Sequence, residues 1–221
     1  MARCPTQIHS FLSETPLSSK SKTGISLHSH TMHSKEYLGR LPTYIAKFPI
    51  GSYILEREIG RLHLYEGRIF DFNKFYWTPP LSPREAFALE SNQIEKLGLA
   101  PLVSLLDHDN IEAGLHLRVL AGAARAPISV GWTVPYEETE FHIGVHNLPA
   151  SRANRWMREL AEYTAKPNLH RLQELLAGLN DERNLLIVLN HPYWDAKSIG
   201  PQEHRHLLLS FLRQSLPLLR N

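Results

Sequence analysis

The chain has a single cysteine, Cys4. No disulfide can form within it, which suits a reducing compartment. No apolar run approaches the roughly 20 residues that a membrane-spanning helix needs. The N-terminus lacks the continuous apolar segment of a secretory signal. The expectation is a cytoplasmic protein with no membrane partner. Neither sign of charge dominates: 24 Lys and Arg face 22 Asp and Glu, a net charge of +2 with histidine neutral. Without a long basic run there is no strong signal for nucleic acid. What is plentiful is histidine, 13 in 221 residues. Histidine is the commonest metal ligand and carries protons near neutral pH. With 43% hydrophobic residues the chain can bury a substantial core.

Residues 1–23 read as an N-terminal tail rich in Ser, Thr, Lys and Pro. A domain then runs over 24–221. Within it, about 35–80 is an irregular, aromatic-rich insertion broken by Leu41-Pro42, Phe48-Pro49 and Pro79-Pro80. It is expected as a hairpin-like excursion packed on the body rather than as a lid. Ser82-Pro83-Arg84-Glu85 is a helix start with a capping box. The apolar run Pro101–Leu106 reads as a buried strand and Asn110 to about Ala124 as a helix. Pro127–Val134 and Glu140–Asn147 read as two strands paired across a turn. Helices are expected after Ser151 and Asn168, a buried strand at Leu185–Leu189, and a last helix from about Gln202 to Leu216. Largely alternating strands and helices predict an α/β fold with a parallel sheet or barrel.

Apolar runs end in histidine-bearing motifs: Leu27-His28-Ser29-His30, Leu106-Asp107-His108-Asp109 and Asn190-His191-Pro192. His28 and His30 share a face by the two-residue period of a strand. A fourth motif, Glu140-Phe141-His142-Ile143-Gly144, lies on the second of the paired strands. Their order resembles the PHP (polymerase and histidinol phosphatase) superfamily over residues 24 to about 215. The resemblance implies a distorted (β/α)7 TIM-like barrel that hydrolyses phosphate esters with divalent metal ions. Its substrate would be a small phosphorylated molecule, a phosphomonoester or nucleotide. It implies His28, His30, His108 and His191 as the catalytic set. The same four, with His142 and Glu36, would be metal ligands. An imidazole-rich set prefers Zn, Mn or Fe over Mg. Asp107 is expected to orient a ligand rather than to be one.

The pattern also departs from the family. Ser129-Val130-Gly131-Trp132-Thr133 places Gly131 where the family has a bridging glutamate. Glu137, Glu138 and Glu140 lie nearby without an evident equivalence. The family's closing Asp-x-His motif is absent before Asn221. The expectation is therefore a barrel incomplete at its C-terminus, with weakened activity and self-association through an uncovered strand edge. Two alternatives follow: a catalytically impaired metal-binding remnant, or an amidohydrolase-type hydrolase, which also opens with His-x-His. The latter lacks a lysine placed for a carboxylated bridge. Trp132 is expected in the core, and His33 and His146 in structural roles. His9, His63, His116, His170, His204 and His206 are expected in the tail, in loops or on exposed helix faces. Arg152, Arg155 and Arg158 are expected on a solvated helix face.

Overall fold

The computed structural model describes residues 21–38, 41–45, 48–67, 71–72, 75–120, 123 and 125–218. Most of the expected tail, with Cys4, lies outside them. In chain order the first elements are β1 (Thr23–Ser26), β2 (Glu36–Tyr37), α1 (Leu41–Ile45), α2 (Pro49–Glu66) and β3 (Tyr76–Trp77). There follow α3 (Pro83–Glu95), β4 (Ala100–Val103), α4 (Glu112–Arg118), β5 (Val130–Tyr136) and β6 (Thr139–His146). The chain continues through α5 (Ala153–Ala165), α6 (Leu169–Asn180), β7 (Leu186–Asn190) and α7 (Pro201–Ser215).

The fold is mixed α/β, as expected. Strand directions explain where its chemistry collects. β1 and β4 pair in parallel, Ser26 opposite Val103. The chain beyond β4 stays close to its neighbours, Leu106 N–H donating to Ser29 O at 2.8 Å. It then meets β5 at a parallel bridge between His108 and Gly131. β5 and β6 are antiparallel, and so are β6 and β7. Consequently β1, β4, β5 and β7 run one way and β6 alone runs against them. Among the described residues the strands form sheets of two, two and three strands; that bridge joins β1–β4 to the three-stranded sheet, β2 and β3 pair apart, and no barrel closes.

Alternation along the strands separates a core face from a site face. Val130, Trp132 and Val134 of β5 and Phe141, Ile143 and Val145 of β6 are buried in the main core. Helices supply the other side through Leu160, Tyr163, Leu172, Leu176 and Phe211. Trp132 is fully buried, as expected, and its indole donates to Thr164 Oγ1 at 3.1 Å. A second core joins Ala86 and Ile94 of α3 to Val103, Leu105 and Leu117. Residues 131 and 133 of β5 and 140, 142, 144 and 146 of β6 alternate to the opposite face, which brings Thr133, Glu140 and His142 to the site.

Local signals account for most element starts. Ser82 accepts from Glu85 N–H while the Glu85 carboxylate accepts from Ser82 N–H, the expected capping box. Asn168 caps α6 by accepting from Arg171 N–H at 2.8 Å. Three expectations need correction. The insertion holds an 18-residue helix, α2, started by Pro49 and ended by Gly67 in the left-handed region (φ 62°). Its apolar residues occupy two faces, Ile50, Tyr53, Ile54, Leu64 and Tyr65 on an exposed one and Leu55, Ile59 and Leu62 on a half-buried one, so no single apolar stripe reveals it. α4 stops at Arg118 rather than near Ala124, and Val119 just beyond is exposed. β7 is half-buried rather than buried, with Leu186 43% exposed, because only β6 pairs with it among the described residues. No helix among the described residues is long and apolar enough to cross a membrane.

Candidate metal centre

The parallel strands gather their C-terminal ends on one side of the molecule. His28 and His30 follow β1, His108 follows β4, and His191 follows β7. His142 lies near the start of the reversed strand β6, opposite Thr133 on one side and Asn190 on the other. Reversal brings the beginning of β6 to the ends of its neighbours.

The five imidazoles form a closed circuit. Ring centroids are 4.9 Å apart for His28 and His30, 4.8 Å for His30 and His108, and 4.6 Å for His108 and His142. The circuit closes through His142 and His191 at 5.1 Å and His191 and His28 at 5.5 Å. Trp194 packs edge-on against His142 and His191. Every expected histidine ligand is thus in the cluster. Glu36 lies in β2 opposite Trp77, and its side chain is outside what is described.

Carboxylates and hydroxyls hold this circuit from behind. Buried Asp107 accepts from Thr31 N–H at 2.5 Å and Thr31 Oγ1–H at 2.6 Å. It thereby ties the His28–His30 loop to the segment carrying His108. Burial pushes its pKa up, opposed by the Thr31 bonds and by His33 and His108. Asp109 accepts from Thr133 N–H at 2.9 Å, and burial raises its pKa too. Ser34 Oγ accepts from His108 N–H at 3.1 Å and lies 3.5 Å from His30 Nδ1. Asp109 (φ 48°) and His191 (φ 28°) sit at positive φ, conformations that non-glycine residues seldom adopt.

A cavity of about 720 Å³ opens on the His108–His142 side. Lys35, Tyr37 and Tyr76 of the insertion line one wall; Glu140, Trp194 and Lys197 line another. The insertion therefore contributes to the site's wall, beyond the packing role expected of it. Glu140 is 2.5 Å from Lys197. Glu137 and Glu138 are exposed, so Glu140 is the one of the three that faces the cavity. A Cβ on Gly131 would stand 3.2 Å from Leu106 O. Close approach of the His108 segment explains glycine there.

One pair of these donors is spaced as two nitrogens sharing a divalent ion would be. His28 Nε2 and His30 Nε2 are 3.2 Å apart. Two nitrogens bound to one tetrahedral ion at about 2.0–2.1 Å stand roughly 3.3–3.4 Å apart. Among the described residues no group of three or more His, Cys, Asp or Glu side chains is placed to hold a metal ion. The ring contacts place the five within reach of one another, and rotation about their side-chain bonds sets which nitrogens face inward.

One histidine differs from expectation. His204, expected on an exposed face, is buried on α7, and its Nε2 lies 2.8 Å from Pro192 O. It secures the turn after His191. His146 is buried on the site face of β6, Nδ1 lying 2.7 Å from Ser104 Oγ. Burial and the nearby His28 push its pKa down to about 4, so it stays neutral. Its two-residue spacing from Gly144 and His142 was the available signal. His33 is half-buried, packed against His116 at 5.0 Å.

No family model matches the chain, and no curated protein or solved structure matches it.

Proposed function

We propose that the chain is a metal-dependent phosphoesterase of PHP type, acting on a small phosphorylated substrate. The observation that carries this reading is the closed circuit of five histidines, drawn from four separate segments. The common direction of β1, β4, β5 and β7, with helices packed on the core face, supports an open portion of the barrel the family would have. His28, His30, His108, His142 and His191 would hold divalent ions, with Zn, Mn or Fe preferred. Such an ion supplies positive charge against phosphoryl oxygens and makes water more acidic.

The chain's own residues do the remaining work. Asp107 and Ser34 tie together the segments that carry His30 and His108 before substrate arrives. Lys35 and Lys197 bring two ammonium groups to the cavity wall, suited to a phosphate's charge. Trp194 shields His142 and His191 on one side.

The test is hydrolysis of p-nitrophenyl phosphate with added Mn or Zn. Weak turnover that chelator abolishes is the expected result; turnover indifferent to chelator would defeat the metal mechanism. A second reading, an impaired metal-binding protein, is favoured by Gly131 and by the engagement of Glu140 with Lys197. Bound metal with no turnover would select it.

A further inference from the structure

We propose that His146 is a sixth imidazole of the centre, offering a bare Nε2 to a divalent ion from deep on the sheet, in a tautomer imposed by Ser104 and Ser129. This rests on the metal-centre reading above. His146 is only 3% exposed, and its Nε2 is fully buried with no hydrogen-bond partner among the described residues. Buried nitrogens are seldom left so, because the lost hydration is not replaced.

Proton counting sets the tautomer. Ser104 Oγ donates to Ser129 Oγ at 2.7 Å. A hydroxyl has one proton, so Ser104 has none left for His146. The 2.7 Å contact between Ser104 Oγ and His146 Nδ1 must therefore be donated by the imidazole. Ser129 Oγ also accepts from Asn147 N–H at 3.2 Å, which fixes it in turn. With Nδ1 protonated, Nε2 carries a lone pair. An imidazole whose far nitrogen donates to a fixed acceptor is the arrangement found behind metal-bound histidines.

Position fits as well. A Cβ on Gly144 would lie 2.7 Å from His146 Nε2. The ring therefore lies back along β6 toward His142, in space that Gly144 leaves open. Asn190 Nδ2 lies 3.2 Å from the same point, and Asn190 is paired with His142 and precedes His191. Nε2 thus lies over Gly144, two residues along β6 from His142.

The experiment measures Zn affinity of the full chain by competition with a chromophoric chelator, and the absorption of the Co-substituted protein. The parent is compared with His146→Phe, Gly144→Ala, Ser104→Ala and the pair His28→Ala with His30→Ala. His146→Phe keeps a buried ring without a lone pair. Gly144→Ala leaves His146 in the chain but blocks its position. Each is expected to weaken Zn binding about 10 to 100-fold and to alter the Co spectrum. The melting temperature of metal-free His146→Phe should not fall, since the orphaned nitrogen is gone. If His146→Phe does not fold, Gly144→Ala and Ser104→Ala decide. Unchanged Zn affinity in the folded variants overturns the inference; if the His28 and His30 pair still abolishes binding, the five-histidine reading survives alone. A parent that binds neither Zn nor Co overturns both.

Discussion

His28 Nε2 and His30 Nε2 face each other at 3.2 Å, near the separation of two nitrogens sharing one ion. Replacing both by alanine removes adjacent members of the circuit and leaves the Asp107–Thr31 bonds in place. The expected outcome is loss of bound metal, each ligand being worth on the order of 10 to 100-fold in affinity. Elemental analysis after purification from Zn-supplemented medium checks this. Unchanged metal content would sink the centre.

Lys197 pairs with Glu140 at the cavity wall. If its ammonium receives phosphate, Lys197→Met should raise KM for p-nitrophenyl phosphate roughly tenfold with little change in kcat, the signature of lost uniform binding. Steady-state kinetics with saturating Mn separates the two parameters. An equal fall in kcat and kcat/KM would instead assign Lys197 to the transition state.

Tyr163 O–H donates to Pro135 O at 2.6 Å, and burial with nearby Tyr136 pushes its pKa up from 10.0 to about 12. The raised value means that the folded state retains the proton more tightly than the unfolded state. Its contribution is fully present below pH 10 and is lost as pH rises through about 12. Tyr163→Phe should therefore flatten the alkaline limb of the stability profile. At neutral pH it should cost about 1 kcal/mol by leaving Pro135 O unpaired. Denaturant melts across pH 8–12 test both parts.

Trp132 is fully buried and packs against Tyr163 with ring centroids 5.4 Å apart. Trp132→Ala should destabilise by about 3–5 kcal/mol. Metal affinity in the remaining folded fraction should change little, because residues on this core face point away from the histidines. A urea melt and a Zn titration together distinguish core from site.

What was legible in the sequence follows how local each signal is. Ser82 and Glu85 sit three residues apart and form the expected capping box. The β5–β6 pair spans a short turn and was anticipated. The motifs of His28 and His30, His108 and His191 were legible because each ends an apolar run, and parallel strands collect such ends. α2 was hidden because its apolar residues are split between an exposed and a half-buried face. Ser104 and Ser129 gave no signal beside His146, since 42 residues separate the first from it and the contact exists only once the strands pair. The burial of His204 depends likewise on a contact with the turn after β7.

The two Thr31–Asp107 bonds join residues 76 apart in sequence. In contrast, β5, β6 and β7 with α5 and α6 are built from one continuous stretch. During refolding, His142 and His191 can be brought together by that stretch alone. His28 and His30 must wait for a long loop to close, a slow and entropically costly event. Ion capture would then act as a clock for that closure. In a stopped-flow refolding experiment with a fluorescent Zn indicator, Zn uptake should lag behind burial of Trp132. Its rate should fall when Asp107 is replaced, while the Trp132 signal keeps its pace.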